Sequence, residues 1–417
     1  VFPILPRVRL GGSGLDDFMV RPSGWFSQTM RPGRDPLPNV AYLGRVVMPW
    51  IDISDDRMGL YVGSHDPSAT NTLFRSVSGG DAGETVYLET EKRQDIKPGQ
   101  ALTWEYRLGA HTSDWHWGAD RYRAWFHEQW GRCLLPERIK RMDGWLAWMA
   151  MNSPRGAFRF DNLPHGLTRA RAAGLDWVQV WGQFAFDWGP CCQAVYPPSP
   201  TFGGAEAWAR ACREIVRRGG YVGGYFTYRM FDITHLVSDY VAGHFKTSDY
   251  PPGMSLPSAD LFRDVRLIDD PAGTIPPFPP PQEEIDEHLA KIEKHLDAYR
   301  ANEHKGVKTP QWKKRVWVGD PDWIEHLRSR VVDTYQREYG NNACYLDVLG
   351  TGSAAESYDP RRNHNGDGGY SRGKYELAKR VISAAWLTDR QYAPSMEGLG
   401  DLPGVYCAGM SSGLYWG

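Results

Sequence analysis

The sequence predicts a multidomain β plus α/β protein, an N-terminal antiparallel β-sandwich followed by a (β/α)8 TIM-type barrel. Three observations lead there. The chain has 417 residues, more than the roughly 250–300 at which a single core stops growing. Residues 1 to about 118 read as short β segments broken by turns, with no convincing helix. From Asp143 onward, apolar strand-like runs alternate with amphipathic helices, the texture of βα units on a parallel sheet. The expected division is a sandwich at 1–118, a connecting helix and linker at 119–140, and a barrel at 141–417 carrying an insertion at about 235–312.

In the N-terminal part the strand signals are "NVAYLGRVVMPWIDIS", "MGLYVGSH", "ETVYLETEK" and "ALTWEYRLGAH", separated by "SDD", "SGGDAG" and "IKPGQ". "GADRYRAWFHEQWGR" then places Tyr122, Trp125, Phe126 and Trp130 at helical spacing. In the barrel, "DGWLAWMA" (143–150) is a first strand, followed by a helix around 163–173 that stops at Gly174. "LDWVQVWG" (175–182) is the second strand. Its helix, "GGAEAWARACREIVRRGG", keeps Trp208, Ala211, Cys212, Ile215 and Val216 on one face. "YVGGYFTY" (221–228) is the third strand.

A proline-rich stretch within 250–282 and a helix carrying Ile285, Leu289, Ile292, Leu296 and Tyr299 interrupt the rhythm. It resumes with "DPDWIEHLRSRVVDTYQREYG", with Asp320 or Asp322 as a cap and Trp323, Leu327, Val331 and Tyr335 four apart. The strand "NNACYLDVLG" follows, expected to end at Asp347 with Val348-Leu349-Gly350 starting a turn. The helix "GYSRGKYELAKRVISAAW", the strand "RQYAPSMEG" and the start of a further unit, "GVYCAGM", complete the pattern. Five or six units are counted where a closed barrel needs eight, so the barrel is expected to be incomplete in this sequence or closed by chain outside it. An open doubly wound sheet is the alternative, but no glycine-rich phosphate loop follows the first strand.

Composition excludes several functions. A net charge of −2 provides no basic field for nucleic acid. No apolar run approaches the ~20 residues of a membrane span. Six cysteines without a C-x-x-C pair argue against zinc; the adjacent Cys191 and Cys192 are read as two thiols rather than a strained bond. The first residues lack the pattern of a signal peptide and begin without Met, so secreted, periplasmic and cytoplasmic placements all stay open. Oligomeric state, a homo-oligomer included, stays open too. Eighteen tryptophans and 13% aromatic residues suit a carbohydrate ligand, whose apolar faces stack on rings, and suit large aromatic cores as well.

Active sites of βα barrels form at strand C-terminal ends. That rule collects Asp347, with Tyr345 in the same run, and Glu397 in "SMEG"; upstream strand ends add Trp148, Asp187, Trp188, Tyr228 and Arg229. Two carboxylates on neighbouring strands among aromatics are what glycoside hydrolysis requires: one attacks or stabilises the sugar cation, and the other protonates the leaving oxygen. Either acid could instead be structural. The loop "SYDPRRNHNGDGGYSRG" gathers Asp359, Arg361, Arg362, Asn363, His364, Asn365 and Asp367. It imitates the start of a calcium loop, but the position needing a bidentate acid holds Lys374. A hydroxyl-binding loop is preferred, with no metal and no cofactor expected.

The ordered set "MGLYVGSHDP", "WHWGADRYRAW", "AVYPPSPTFGG", "CREIVRRGGYVGGY", "DPDWIEHL", "YLDVLG", "YDPRRNHNGDGGY" and "SMEGLG" resembles a bacterial glycosidase-like family catalogued as a domain of unknown function. That family is similar in architecture to endo-α-N-acetylgalactosaminidases and other α-retaining barrel glycosidases, and the resemblance covers roughly residues 38–400. It implies Asp347 as nucleophile, Glu397 as acid/base, and Asp359 and His364 on a substrate loop. The family often has "DQ" where this chain has Asp347-Val348 and "HGH" where it has "RNHNG", which bears on the sugar accepted. The resulting expectation is retaining cleavage of an α-linked galactoside or N-acetylgalactosaminide. The alternative is a non-catalytic carbohydrate-binding protein on a degenerate glycosidase barrel.

Overall fold

The structure, a computed structural model, describes residues 2–8, 17–22, 27–31, 40–42, 46–79, 85–92, 98–112, 114–149, 159–183, 198, 202–228, 230–232, 313–315, 318–351 and 370–410. Two compact units are formed. One comprises residues 1–134, 348–376 and 396–417, and the other residues 135–347 and 377–395. The helix expected at 283–305 and the Cys191-Cys192 pair lie outside the described residues.

Nine N-terminal strands are β1 (Phe2–Val8), β2 (Phe18–Pro22), β3 (Ser27–Met30), β4 (Val40–Tyr42), β5 (Trp50–Ser54), β6 (Gly59–Ser64), β7 (Thr72–Gly79), β8 (Thr85–Lys92) and β9 (Tyr106–His111). They form two antiparallel sheets, ordered β1-β8-β7-β4 and β3-β2-β5-β6-β9. Met19, Ile51, Ile53 and Val62 of one sheet cluster with Phe74 and Leu88 of the other, the inward-facing half of a period-two alternation. Asp52, between Ile51 and Ile53, faces the opposite way. It is fully buried, its Oδ2 lies 2.8 Å from His111 Nε2, and its Oδ1 accepts from Ser54 Oγ. Helix α1 (His116–Trp130) covers this face. Gly118 permits the approach, since a Cβ there would stand 3.1 Å from Asp52 Oδ2 and collide with the Tyr61 ring.

After a short helix α2 (Glu137–Lys140), the chain enters a curled half-barrel sheet. Its strands are β10 (Leu146–Met149), β11 (Trp177–Trp181), β12 (Tyr221–Thr227), β15 (Ala343–Gly350), β16 (Ala393–Gly398) and β17 (Ala408–Met410), in that spatial order. A two-stranded antiparallel pair, β13 (Met230–Asp232) and β14 (Lys313–Arg315), branches off after β12. β10, β11, β12 and β15 are paired in parallel, which demands crossovers. Helices α3 (Leu163–Ala172) and α4 (Gly204–Arg217) supply the first two. On α4, Trp208, Ala211, Cys212 and Ile215 are buried as the spacing predicts, whereas Val216, expected on the same face, is exposed at its edge, and Gly219 (φ 75°) terminates the segment.

Asn341 and Asn342 pin the start of β15 to its neighbours. Trp208 Nε1 donates to Asn341 Oδ1 at 2.9 Å. The Asn342 side chain accepts from the Val222 amide (2.9 Å) and donates to the Gly220 carbonyl (3.0 Å). Helix α5 (Pro321–Arg328) is capped by Asp320, whose Oδ1 accepts from the Trp323 amide. It continues as a π-helical segment, Ser329–Glu338, where an α-helix was expected. The wider turn keeps Val331 and Tyr335, four apart, nearer to one line. Helix α6 (Tyr370–Thr388) and the short α7 (Asp401–Gly404) flank β16. Among the described residues no helix is long and apolar enough to cross a membrane.

Candidate active site

On the barrel sheet, Tyr225 pairs with Tyr345 and Thr227 with Asp347 across β12 and β15. Side chains alternate along a strand, so Tyr345 and Asp347 share one face. There the Tyr345 ring lies 5.6 Å from Tyr225 (stacked), 5.1 Å from Trp181 and 5.6 Å from Trp145. The Gln183 side chain holds Tyr225 in place, accepting from its amide (3.3 Å) and donating to its carbonyl (3.1 Å). Tyr345 is buried, while Trp181 and Asp347 are half-buried, so the face passes from a packed aromatic floor to an accessible carboxylate.

The opposite face meets the helices, and Trp148, chosen from the sequence, is found there. Trp148 packs on α3: a Cβ on Gly166 would lie 2.7 Å from Trp148 Cε3. Tyr228 is fully buried, and its carbonyl accepts from the Trp323 indole at 2.6 Å. Trp148 stands in register with Val180, whereas Met149 stands in register with Trp181. A one-residue difference reverses the face. Asp187, Trp188, Arg229, Asp359 and His364 lie outside the described residues. The sequence reading passed over Trp181 and Tyr225, although counting by twos along β11 and β12 from Asp347's register partner finds both.

The second carboxylate belongs to the other unit. Glu397, on β16, is half-buried, and its Oε2 accepts from the Val348 amide at 3.0 Å. Val348 has φ +52°. For a β-branched residue this left-handed conformation is an outlier costing about 1–3 kcal/mol. The Thr351 amide reaches back to the Val348 carbonyl at 3.2 Å. The expectation that the strand ends at Asp347 therefore needs correction: β15 extends to Gly350, and the turn is folded into it as a kink at Val348. Glycine makes this possible. A Cβ on Gly350 would lie 2.7 Å from the Glu397 carbonyl oxygen and 2.8 Å from the Gly398 carbonyl carbon. Just beyond, buried Lys374 donates to the Thr351 carbonyl at 2.5 Å. Among the described residues no cluster of His, Cys, Asp or Glu could hold a metal ion.

One unit thus offers a half-buried carboxylate, Asp347, beside an aromatic floor, and the other offers Glu397, fixed by a backbone amide. Such groups can accept or donate protons and attack an electrophilic carbon. No protein-family model matches the chain, and no curated protein matches it. Solved structures do. The ligand-free α-N-acetylgalactosaminidase NagBb from Bifidobacterium bifidum superposes with a TM-score of 0.59 at 13% identity, covering 94% of this chain and 60% of that one. Its GalNAc complex gives 0.61 at 13%, covering 97% and 60%. The α-galactosidase TtGalA from Thermus thermophilus with stachyose gives 0.50 at 14%, covering 97% and 70%. This chain thus spans about three fifths of the length of the Bifidobacterium structures. At such identity the likeness is one of fold: antiparallel sheets followed by a glycosidase-like α/β sheet.

Proposed function

We propose that this chain is a glycoside hydrolase that cleaves an α-linked galactoside or N-acetylgalactosaminide with retention of configuration, Asp347 acting as nucleophile and Glu397 as acid/base. The observation that carries the reading is that the Glu397 carboxylate is bonded to the amide of the residue directly following Asp347. This bond ties Glu397 to the backbone of β15 within its own compact unit.

In the first step Asp347 would attack the anomeric carbon while the Glu397 proton passes to the departing oxygen. In the second, Glu397 would deprotonate a water that displaces the Asp347 ester, restoring both groups. A sugar's apolar face would rest on Trp181 beside Tyr345. Retention requires a carboxyl separation of about 5–5.5 Å. In this reading residues 141–417 form the catalytic part, with the loop holding Asp359 and His364 contributing hydroxyl contacts.

Wild type, Asp347→Asn and Glu397→Gln are to be assayed on aryl α-galactosides and aryl α-N-acetylgalactosaminides, with the first-formed anomer read by NMR. Turnover by wild type with an α-anomeric product, lost in Asp347→Asn, is the expected result. An inverted product overturns the nucleophile. Sugar binding without turnover in any variant transfers the protein to the binding-module reading.

A further inference from the structure

Glu397 is followed by Gly398-Leu399-Gly400, and two glycines in three residues restrain a backbone poorly. Something else must define where this strand end points, and the next residue is Asp401. Its two carboxylate oxygens are taken by two different elements of the same compact unit. Tyr42 Oη on β4 donates to Oδ1 at 2.8 Å, and Tyr122 Oη on α1 donates to Oδ2 at 2.5 Å. The Asp401 amide donates to the Val47 carbonyl at 3.3 Å, and the Leu402 amide closes on Oδ1 at 2.7 Å. Tyr42 and Tyr122 are only 3% and 2% exposed. The Leu134 amide donates to the Val405 carbonyl (2.9 Å), and the rings of Trp130, Tyr375 and Tyr406 stand edge to face in series.

On the other side, the Gly350–Gly398 approach and the Val348 amide grip Glu397 itself. The carboxylate is therefore held between two anchors, and the second lies four residues away on residues of the N-terminal part. A polar group taken out of water costs free energy unless hydrogen-bonded, and a solvent-facing turn residue would close this loop without that cost.

We propose that Asp401 is a positioning residue: with Tyr42 and Tyr122 it forms a clasp that sets where Glu397 is presented to substrate. The inference rests on the reading of Glu397 as acid/base. It gives the N-terminal β region a part in the reaction without any residue of its own touching sugar.

The test pairs two readouts on full-length wild type, Asp401→Ala and the milder Tyr122→Phe, each confirmed folded by its thermal transition. Hydrogen exchange of residues 396–404 needs no substrate. Both variants are expected to lose protection there while β10–β12 keep theirs, and unchanged protection overturns the clasp. Turnover is then measured on aryl α-glycosides whose leaving groups range from dinitrophenol to phenol. A displaced acid is expected to lower kcat about tenfold to a hundredfold on phenyl glycosides and under threefold on dinitrophenyl ones, with KM nearly constant. Equal loss across the series, or none, overturns positioning even if protection falls. Wild type inactive on every substrate, with the exchange pattern as expected, identifies the glycosidase reading as the failed premise and removes the proposal with it.

Discussion

Two aspartates interrupt apolar strands in this molecule, Asp52 in β5 and Asp347 in β15, and their surroundings differ. Asp52 is 0% exposed, with one oxygen on His111 and the other on Ser54. It lies under α1, where Gly118 closes over it. Asp347 occupies the C-terminal half of a parallel strand, half-buried, on the face that carries Tyr345, with a kink immediately after it. A carboxylate in a strand is thus not in itself a functional signal. What separates the two cases is whether the fold closes around the acid or leaves it accessible beside a surface that a ligand can use.

The sharpest way to break this contrast is to neutralise each acid. Asp347→Asn is expected to reduce turnover on the order of 10⁴-fold with an unchanged urea midpoint. Asp52→Ala should leave turnover per folded molecule intact and destabilise the fold by about 2–3 kcal/mol, because His111 and Ser54 lose their buried partner. The opposite allocation in either variant abolishes the distinction.

Asp401 provides an intermediate case. Burial pushes its carboxyl up to about 7, against the lowering effect of the Tyr122 and Tyr42 hydroxyls. Around the clasp stand Asp66, paired with Lys92, His65, whose ring lies against Tyr122, and Tyr61, whose hydroxyl bonds to His65. A carboxyl raised on folding stabilises most fully below the unfolded value, and that contribution is lost as pH rises through the folded one. Stability should therefore fall between pH 4 and pH 7, by no more than about 1.4 kcal/mol per unit. Asp401→Asn should flatten that slope in denaturation curves measured across the same range.

The two faces of the barrel sheet offer a further test. Trp181→Ala is expected to raise KM about tenfold, one lost stacking contact being worth roughly 1–2 kcal/mol. Trp148→Phe should leave KM unchanged and cost about 1 kcal/mol of stability through its packing on Gly166. The smallest effect is expected at the kink. Val348→Gly removes the strained conformation and adds chain entropy to the unfolded state, so its net cost should remain below about 1 kcal/mol. A larger loss would show that the Val348 side chain, rather than its backbone, maintains the bend.

Much of the half-barrel sheet and its helices was readable because each element carries its own periodicity. The face of α4 apart from Val216, the Asp320 cap and the run of Asn341–Leu346 behave as their residues dictate. Strands β1, β2, β3 and β7 escaped notice because segments such as "SQTM" and "TLFRSVSG" mix polar and apolar residues and become strands only by pairing. Within the candidate site, position along a strand was legible: Asp347 lies on β15 and Glu397 on β16, as expected. Direction was not: Trp148 lies at a strand end but on the helix side, a matter of parity that only register resolves. The clasp had no local signature at all, since its members are separated by 359 and 279 positions.

The stacked rings beside Asp347 have an optical consequence. Trp145, Trp181, Tyr225 and Tyr345 lie with centroids 5.1–5.6 Å apart along their chain of contacts, at fixed tilts, in a chiral setting. Transition dipoles so close couple, and coupled chromophores produce circular dichroism bands that isolated tryptophans do not. Despite eighteen tryptophans in the chain, a molecule resting on Trp181 would disturb this set in particular, so the near-ultraviolet difference spectrum becomes a label-free record of occupancy.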